Sequence, residues 1–230
     1  MKKIVNYLLI GNTRLHWALK KDDSYNFVHT LYNQDLPESI EFNNLIWASV
    51  GKYTTDKFFK RNEVTLKDIN LKNIPDNLGI DRALVCHAAL QKVENKLNKN
   101  ILIVDLGTTV SITKITHNGS ILGGQLFPGF TTQLKSMELH TKNLQLPNKL
   151  FIPNNQFEIS TTNAMLRGVY NSIIGAIDLS FNRDQDILIL CGGDAKLIGE
   201  KMKKFQNFII EPDLVMNGMI LLNENKHFEN

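Results

Sequence analysis

Cysteine is nearly absent from the chain: Cys86 and Cys191 are the two in 230 residues, far apart and each in apolar surroundings. Free buried thiols in a reducing compartment fit that usage better than a disulfide or a cysteine-built metal site. Long hydrophobic runs are missing too. No stretch approaches the roughly 18 apolar residues of a membrane span. Met1-Lys2-Lys3 leads into a short, partly apolar segment before Gly11 without a small-residue cleavage site. Charge of one sign is also scarce. A formal net charge of +3, scattered along the chain, is too weak to imply nucleic acid. What remains is ordinary for a soluble globular protein, with 43% hydrophobic and 21% charged residues and enough length for one large domain or two small ones. The expectation is a cytoplasmic protein that binds small anions, with no nucleic acid and no membrane among its partners.

The most informative stretch is Ile101 to Ile115. An apolar run, Ile101 to Val104, meets Asp105-Leu106-Gly107-Thr108-Thr109, and an alternating segment follows. Two β-branched runs around a short glycine turn read as a hairpin. Gly107 with two threonines offers backbone N–H groups and hydroxyls with little steric cover, the chemistry of an anion-binding nest. Asp105, at the strand end, is placed where a carboxylate could hold a cation against a phosphate. A plain hairpin with a polar turn is the structural alternative. A second copy lies near the start: Tyr7 to Ile10, then Gly11-Asn12-Thr13-Arg14, then Leu15 to Leu19. Gly107 follows Gly11 by 96 residues, about one small domain, and this superposition sets Leu9 on Asp105. Two similar halves, each opening with a phosphate-binding hairpin, suggest a nucleotide held between them.

Taken in order, a third strand is expected at Tyr25–Val28 and a buried strand at Leu45–Gly51. A helix is expected over Lys52–Arg61, while Val64–Leu71 is ambiguous. Turn formers from Asn73 to Gly79 deliver the chain into a helix with a 3.6-residue apolar period through Ala83–Val93. Asp81 stands where an N-cap belongs, and it is also a carboxylate beside Arg82, which could grip a substrate carboxylate. His87, inside the apolar helix, reads as a core or interface residue. Further on, a strand is expected at Ile121–Gly129, a helix at Phe130–Leu139, an irregular loop at Lys142–Phe157 and a helix from Ser160 through Ile177. A buried strand, Asp186–Leu190, then runs into Cys191-Gly192-Gly193-Asp194-Ala195 and another helix.

Gly11-Asn12-Thr13-Arg14, Gly79-Ile80-Asp81-Arg82, Asp105-Leu106-Gly107-Thr108, Gly123-Gly124 with Pro128-Gly129, Thr161 with Ala164-Met165 and Gly168, and Gly192-Gly193-Asp194-Ala195 stand in one order. In that order and rough spacing the chain resembles a type III pantothenate kinase over nearly its whole length. Each motif is weak alone; the ordered set is specific. The resemblance implies an α/β fold of the actin-like, sugar-kinase and Hsp70 superfamily. Two duplicated ribonuclease H-like domains, residues 1–98 and 99–230, would each be a mixed β-sheet flanked by helices, with the nucleotide in the interdomain cleft. It implies ATP-dependent phosphorylation of pantothenate to 4'-phosphopantothenate, the first step of coenzyme A biosynthesis. It also implies a homodimer that needs a monovalent cation, K+ or NH4+, and Mg2+ with ATP.

By position, Ile10, Gly11, Asn12, Thr13 and Arg14 resemble the ATP phosphate loop, and Thr108 a second ATP contact. Gly79, Ile80, Asp81 and Arg82, with Thr161, resemble the pantothenate-binding residues. Asp81 would be the catalytic proton acceptor and Asp105 the cation ligand. One departure stands out: the family usually carries an aspartate two residues before the first loop glycine, and this chain has Leu9. Two other readings stay open. One is a non-catalytic relative that binds nucleotide or pantothenate, against which Asp81 and Arg82 argue. The other is a sugar kinase, against which Arg82 argues because sugars lack a carboxylate.

Overall fold

The computed structural model describes residues 5–37, 40, 44–50, 62–93, 98–202, 205 and 207–228. The chain divides into two compact units. The first holds Met1–Glu94, Gly119–Ile121 and Asp213–Asn230; the second holds Asn95–Asn118 and Leu122–Pro212. The expected division at residues 98 and 99 thus differs from the structure at the C-terminus, which returns to the first unit.

In the first unit, β1 (Asn6–Ile10), β2 (Arg14–Lys21), β3 (Ser24–Leu31) and β4 (Leu45–Ser49) form one sheet in the order β3-β2-β1-β4. β2 runs antiparallel to both β1 and β3, while β4 lies parallel to β1. Side chains alternate across a strand, so β1 serves two faces. Leu8 and Ile10 join Trp17, Leu19, Leu45 and Trp47 in one apolar cluster. Tyr7 and Leu9 point the other way, and the Tyr7 hydroxyl accepts a bond from Asn223 Nδ2 at 3.1 Å. Asn223 lies on α5 (Leu214–Phe228), which packs against α1 (Ile80–Lys92). Gly218 makes that approach close: a Cβ there would strike the Leu84 carbonyl. Helix α5 has no counterpart in the sequence reading. The Gly119–Ile121 segment belongs here because Lys72 pairs with it, its N–H donating to Gly119 O at 2.9 Å and its carbonyl accepting from Ile121 N at 3.0 Å.

The second unit repeats the pattern. Its sheet, in the order β7-β6-β5-β8-β9, is built from β5 (Asn100–Leu106), β6 (Thr109–Ile115), β7 (Ile121–Pro128), β8 (Asp186–Cys191) and β9 (Ile209–Ile210). β5 and β6 are the expected antiparallel hairpin, and β8 lies parallel to β5 as β4 does to β1. Helices α2 (Phe130–His140), α3 (Thr161–Ser180) and α4 (Ala195–Gly199) complete it. α3 buries Leu166, Val169, Ile173 and Ile177, at the helical spacing read from the sequence, in a core shared with Leu102, Val104 and Leu190. Each such side chain contributes about 1.5–3 kcal/mol relative to exposure.

Most expected elements are present within a residue or two, and Val64–Leu71 holds a single 3-10 turn, Leu66–Asp68. The expected helix at Lys52–Arg61 lies outside the described residues. Cys86 and Cys191 are buried thiols outside any disulfide, as expected. Among the described residues, no helix is long and apolar enough to cross a membrane.

Candidate active site

In the first unit, Gly11, Asn12 and Thr13 link β1 to β2. The Gly11 N–H donates to Arg14 O at 2.9 Å, closing the turn, and the Tyr32 hydroxyl donates to Gly11 O. A Cβ at position 11 would lie 3.0 Å from Arg14 O and 3.1 Å from His16 Nε2, so glycine lets the turn and the ring meet. Asn12, Thr13 and Arg14 are exposed at the turn. Ile10 differs from them: its side chain belongs to the sheet core, and its carbonyl accepts the Val50 N–H at 3.0 Å.

The second element of this unit is the start of α1. Here the structure corrects the reading of Asp81 as N-cap. Gly79 holds that position and Asp81 stands in the first turn. Its Oδ1 accepts the Arg82 N–H at 2.8 Å, folding back over Gly79, where a Cβ would lie 2.5 Å from that oxygen. Burial pushes the Asp81 carboxyl above the ordinary carboxylate value, against the downward pull of the Arg82 N–H and guanidinium. A carboxylate that holds its proton more readily than usual suits a proton acceptor. Farther along α1, His87 is buried as expected, and burial lowers its pKa, leaving a neutral core histidine.

The second unit gathers three motifs that lie far apart in sequence. The β5–β6 turn carries Asp105, Gly107 and Thr108. Thr108 O accepts the Gly129 N–H at 2.9 Å and the Thr132 hydroxyl at 2.6 Å, which fastens the Pro128-Gly129 corner to the turn. Any Cβ at Gly129 would overlap Gly107 O. From β8, the Asp194 N–H reaches Leu106 O at 2.9 Å. Gly192, at φ +86°, leaves the space that the Asp105 carboxylate and the Leu106 carbonyl occupy. Thr161 is not drawn into this cluster: it is exposed at the first position of α3, and among the described residues no hydrogen bond joins it to the turn.

Among the described residues, no group of three or more His, Cys, Asp or Glu side chains is arranged to hold a metal ion. A cavity of about 550 Å³ in the second unit, beside Arg167, Tyr170 and Lys201, contains none of the expected site residues. The sequence reading missed a chain of side chains, His16, His29 and Asp213, that ends at the first loop.

The profile of the type III pantothenate kinase family matches residues 50–183, a stretch that includes Asp81, Asp105, Thr108 and Thr161. The chain belongs to that family. A type III pantothenate kinase from Thermosynechococcus vestitus is 29% identical over 208 residues, covering 86% of this chain and 80% of the relative. Among solved structures, a Baf-family transcriptional activator from Campylobacter jejuni superposes with a TM-score of 0.66 at 20% identity, covering 97% of this chain and all of that one. The activator of 2-hydroxyisocaproyl-CoA dehydratase from Clostridium difficile, solved with ADPNP, gives 0.54 at 13% identity over 99% of this chain and 97% of that one. These two share the fold of this pantothenate kinase family member.

Proposed function

We propose that the protein transfers the γ-phosphoryl group of ATP to the primary alcohol of pantothenate, opening coenzyme A synthesis, with Asp81 as the proton acceptor. The observation that carries the reading is the family match across 50–183, within which Asp81 sits half-buried at a helix start with a raised pKa. In the reaction the alcohol oxygen forms a bond to the γ-phosphorus, the bond from that phosphorus to the bridging oxygen breaks, and the alcohol proton passes to Asp81. ADP leaves. Phosphoryl transfer asks mainly for positioning and charge neutralisation, so a carboxylate accepting the proton late suffices. Arg82 would hold the pantothenate carboxylate and Thr161 a further part of that substrate.

The loop from Gly11 to Arg14 and the hydroxyl of Thr108 would bind the ATP phosphates. One carboxylate, Asp105, beside the Leu106 carbonyl is an oxygen donor set suited to K+ or NH4+, and bound there the cation would neutralise charge near the phosphates. Mg2+ would arrive with ATP. The working assembly in this reading is a homodimer.

Purified protein supplied with ATP, Mg2+, K+ and pantothenate should release ADP and yield phosphorylated pantothenate by mass spectrometry. No product over a wide range of cations and substrate concentrations would sink the reading. Asp105→Ala should strongly reduce that activity and flatten its response to added K+, with a thermal melt confirming that the second unit still folds. A wild-type K+ response in this variant would remove Asp105 from the cation site.

A further inference from the structure

Three side chains distant in sequence meet in the first unit. His16 on β2 and His29 on β3 are directly paired in register, and their Nδ1 atoms lie 2.9 Å apart. His29 Nε2 lies 2.9 Å from Oδ1 of Asp213, the residue just before α5, whose carbonyl accepts the first helical bonds from Met216 and Asn217. The far nitrogen of His16, Nε2, faces Gly11 and has no hydrogen-bond partner among the described residues.

The chemistry of these contacts assigns the protons. An ionised carboxylate only accepts, so His29 Nε2 carries a hydrogen. Neutral His29 then presents a lone pair at Nδ1, so His16 Nδ1 donates. This leaves a lone pair on His16 Nε2, pointed at the loop. One added proton reverses the bond between the two rings and leaves His29 Nε2 donating to Asp213. Placed on His16 Nε2, it lets the Nδ1 proton pass to His29. The charge then rests on an imidazolium against Asp213, while His16 stays neutral and presents an N–H to the loop. Two histidines in series thus hold the positive charge beside a carboxylate rather than on His16, where burial is costly.

We propose that His16, His29 and Asp213 form a proton-carrying chain that takes up one proton from solvent when nucleotide phosphates enter the first loop. A phosphate oxygen would meet a repelling lone pair without the proton and a donor with it. The proposal rests on the reading of Gly11–Arg14 as a phosphate loop. The groups facing His16 are His29 from β3, Arg14 on its own strand and Asp213 before α5; across β1 its partner Leu9 brings no charge. Burial, with His29 and Arg14 in support, lowers the His16 pKa to about 4, so the unliganded ring is neutral at physiological pH.

The test is calorimetry of ADP binding near neutral pH in two buffers of different ionisation enthalpy. Wild type should take up about one proton more than His16→Gln or His29→Gln, because protons released by the nucleotide itself are common to all three. Asp213→Asn should lose most of the same difference. Wild-type affinity should fall by about tenfold per pH unit above neutrality relative to the variants, the linkage slope for one proton. Nitrogen-15 spectra of the free protein should show His16 protonated at Nδ1 and bare at Nε2. Nucleotide binding with equal proton uptake in wild type and variants, or a free His16 protonated at Nε2, would overturn the chain while leaving the kinase reading intact. No nucleotide binding at all would overturn both.

Discussion

Asp81→Asn is expected to lower turnover by about 10²–10⁴-fold, the usual contribution of a general base, while the protein melts no lower than wild type. The two readouts separate catalysis from structure. The fold asks Oδ1 to accept the Arg82 N–H, and an asparagine carbonyl can accept the same bond. What asparagine removes is a carboxylate whose charge is disfavoured by burial. With the folded pKa raised, the native state binds a proton that the unfolded chain has already released. Stability therefore falls as pH climbs from the unfolded value, about 4, through the raised folded one, and stays at the lower level above it. The amide has no such dependence, so the gap in melting temperature in favour of Asp81→Asn should open across that window. Rates of ADP release and melts from about pH 4 to pH 8 test both halves. Near-normal turnover would end the catalytic assignment, and a lower melt would mark Asp81 as a structural residue.

Leu9→Asp should strongly destabilise the first sheet, although it installs the residue the family usually has. Leu9 is 3% exposed on β1, paired with His16 on one side and Ala48 on the other. It shares a face with Tyr7, which bonds to Asn223 of α5. An ionised carboxylate there exchanges apolar contacts for an unmatched buried charge. The expected cost is about 3–5 kcal/mol, the scale of an uncompensated buried charge. The aspartate would hold its proton above the ordinary carboxylate range, so the deficit should shrink as pH falls through that raised value. Melts of wild type and Leu9→Asp at pH 5 and 8, beside Mg2+ titrations of activity, decide the matter. Wild-type stability with a stronger Mg2+ dependence would show that the loop kept room for the carboxylate.

Much of this protein was legible along the chain. The hairpins at β1–β2 and β5–β6, the helices α1, α2 and α3 and the strand β8 follow from short-range patterns, because alternation and the 3.6-residue period are local properties. The ordered motifs also sufficed to indicate the family. The fate of particular side chains was not legible, because it depends on partners remote in sequence. Asp81 is a first-turn residue rather than a cap because Gly79 lets the carboxylate fold back over it. Gly129 and Gly192 reach the Asp105–Thr108 turn only after α2 and β8 dock on β5 and β6. Helix α5 joins the first unit because Gly218 lets it approach Leu84, a contact across more than half the chain. His29 and Asp213 stand 184 residues apart, and no local pattern in either stretch encodes their 2.9 Å contact. Sequence alone determined where strands, turns and helices form, since neighbouring residues set those energies. Tertiary structure decided which carboxylates and histidines face one another, since burial and pairing exist only once the sheets and helices have packed.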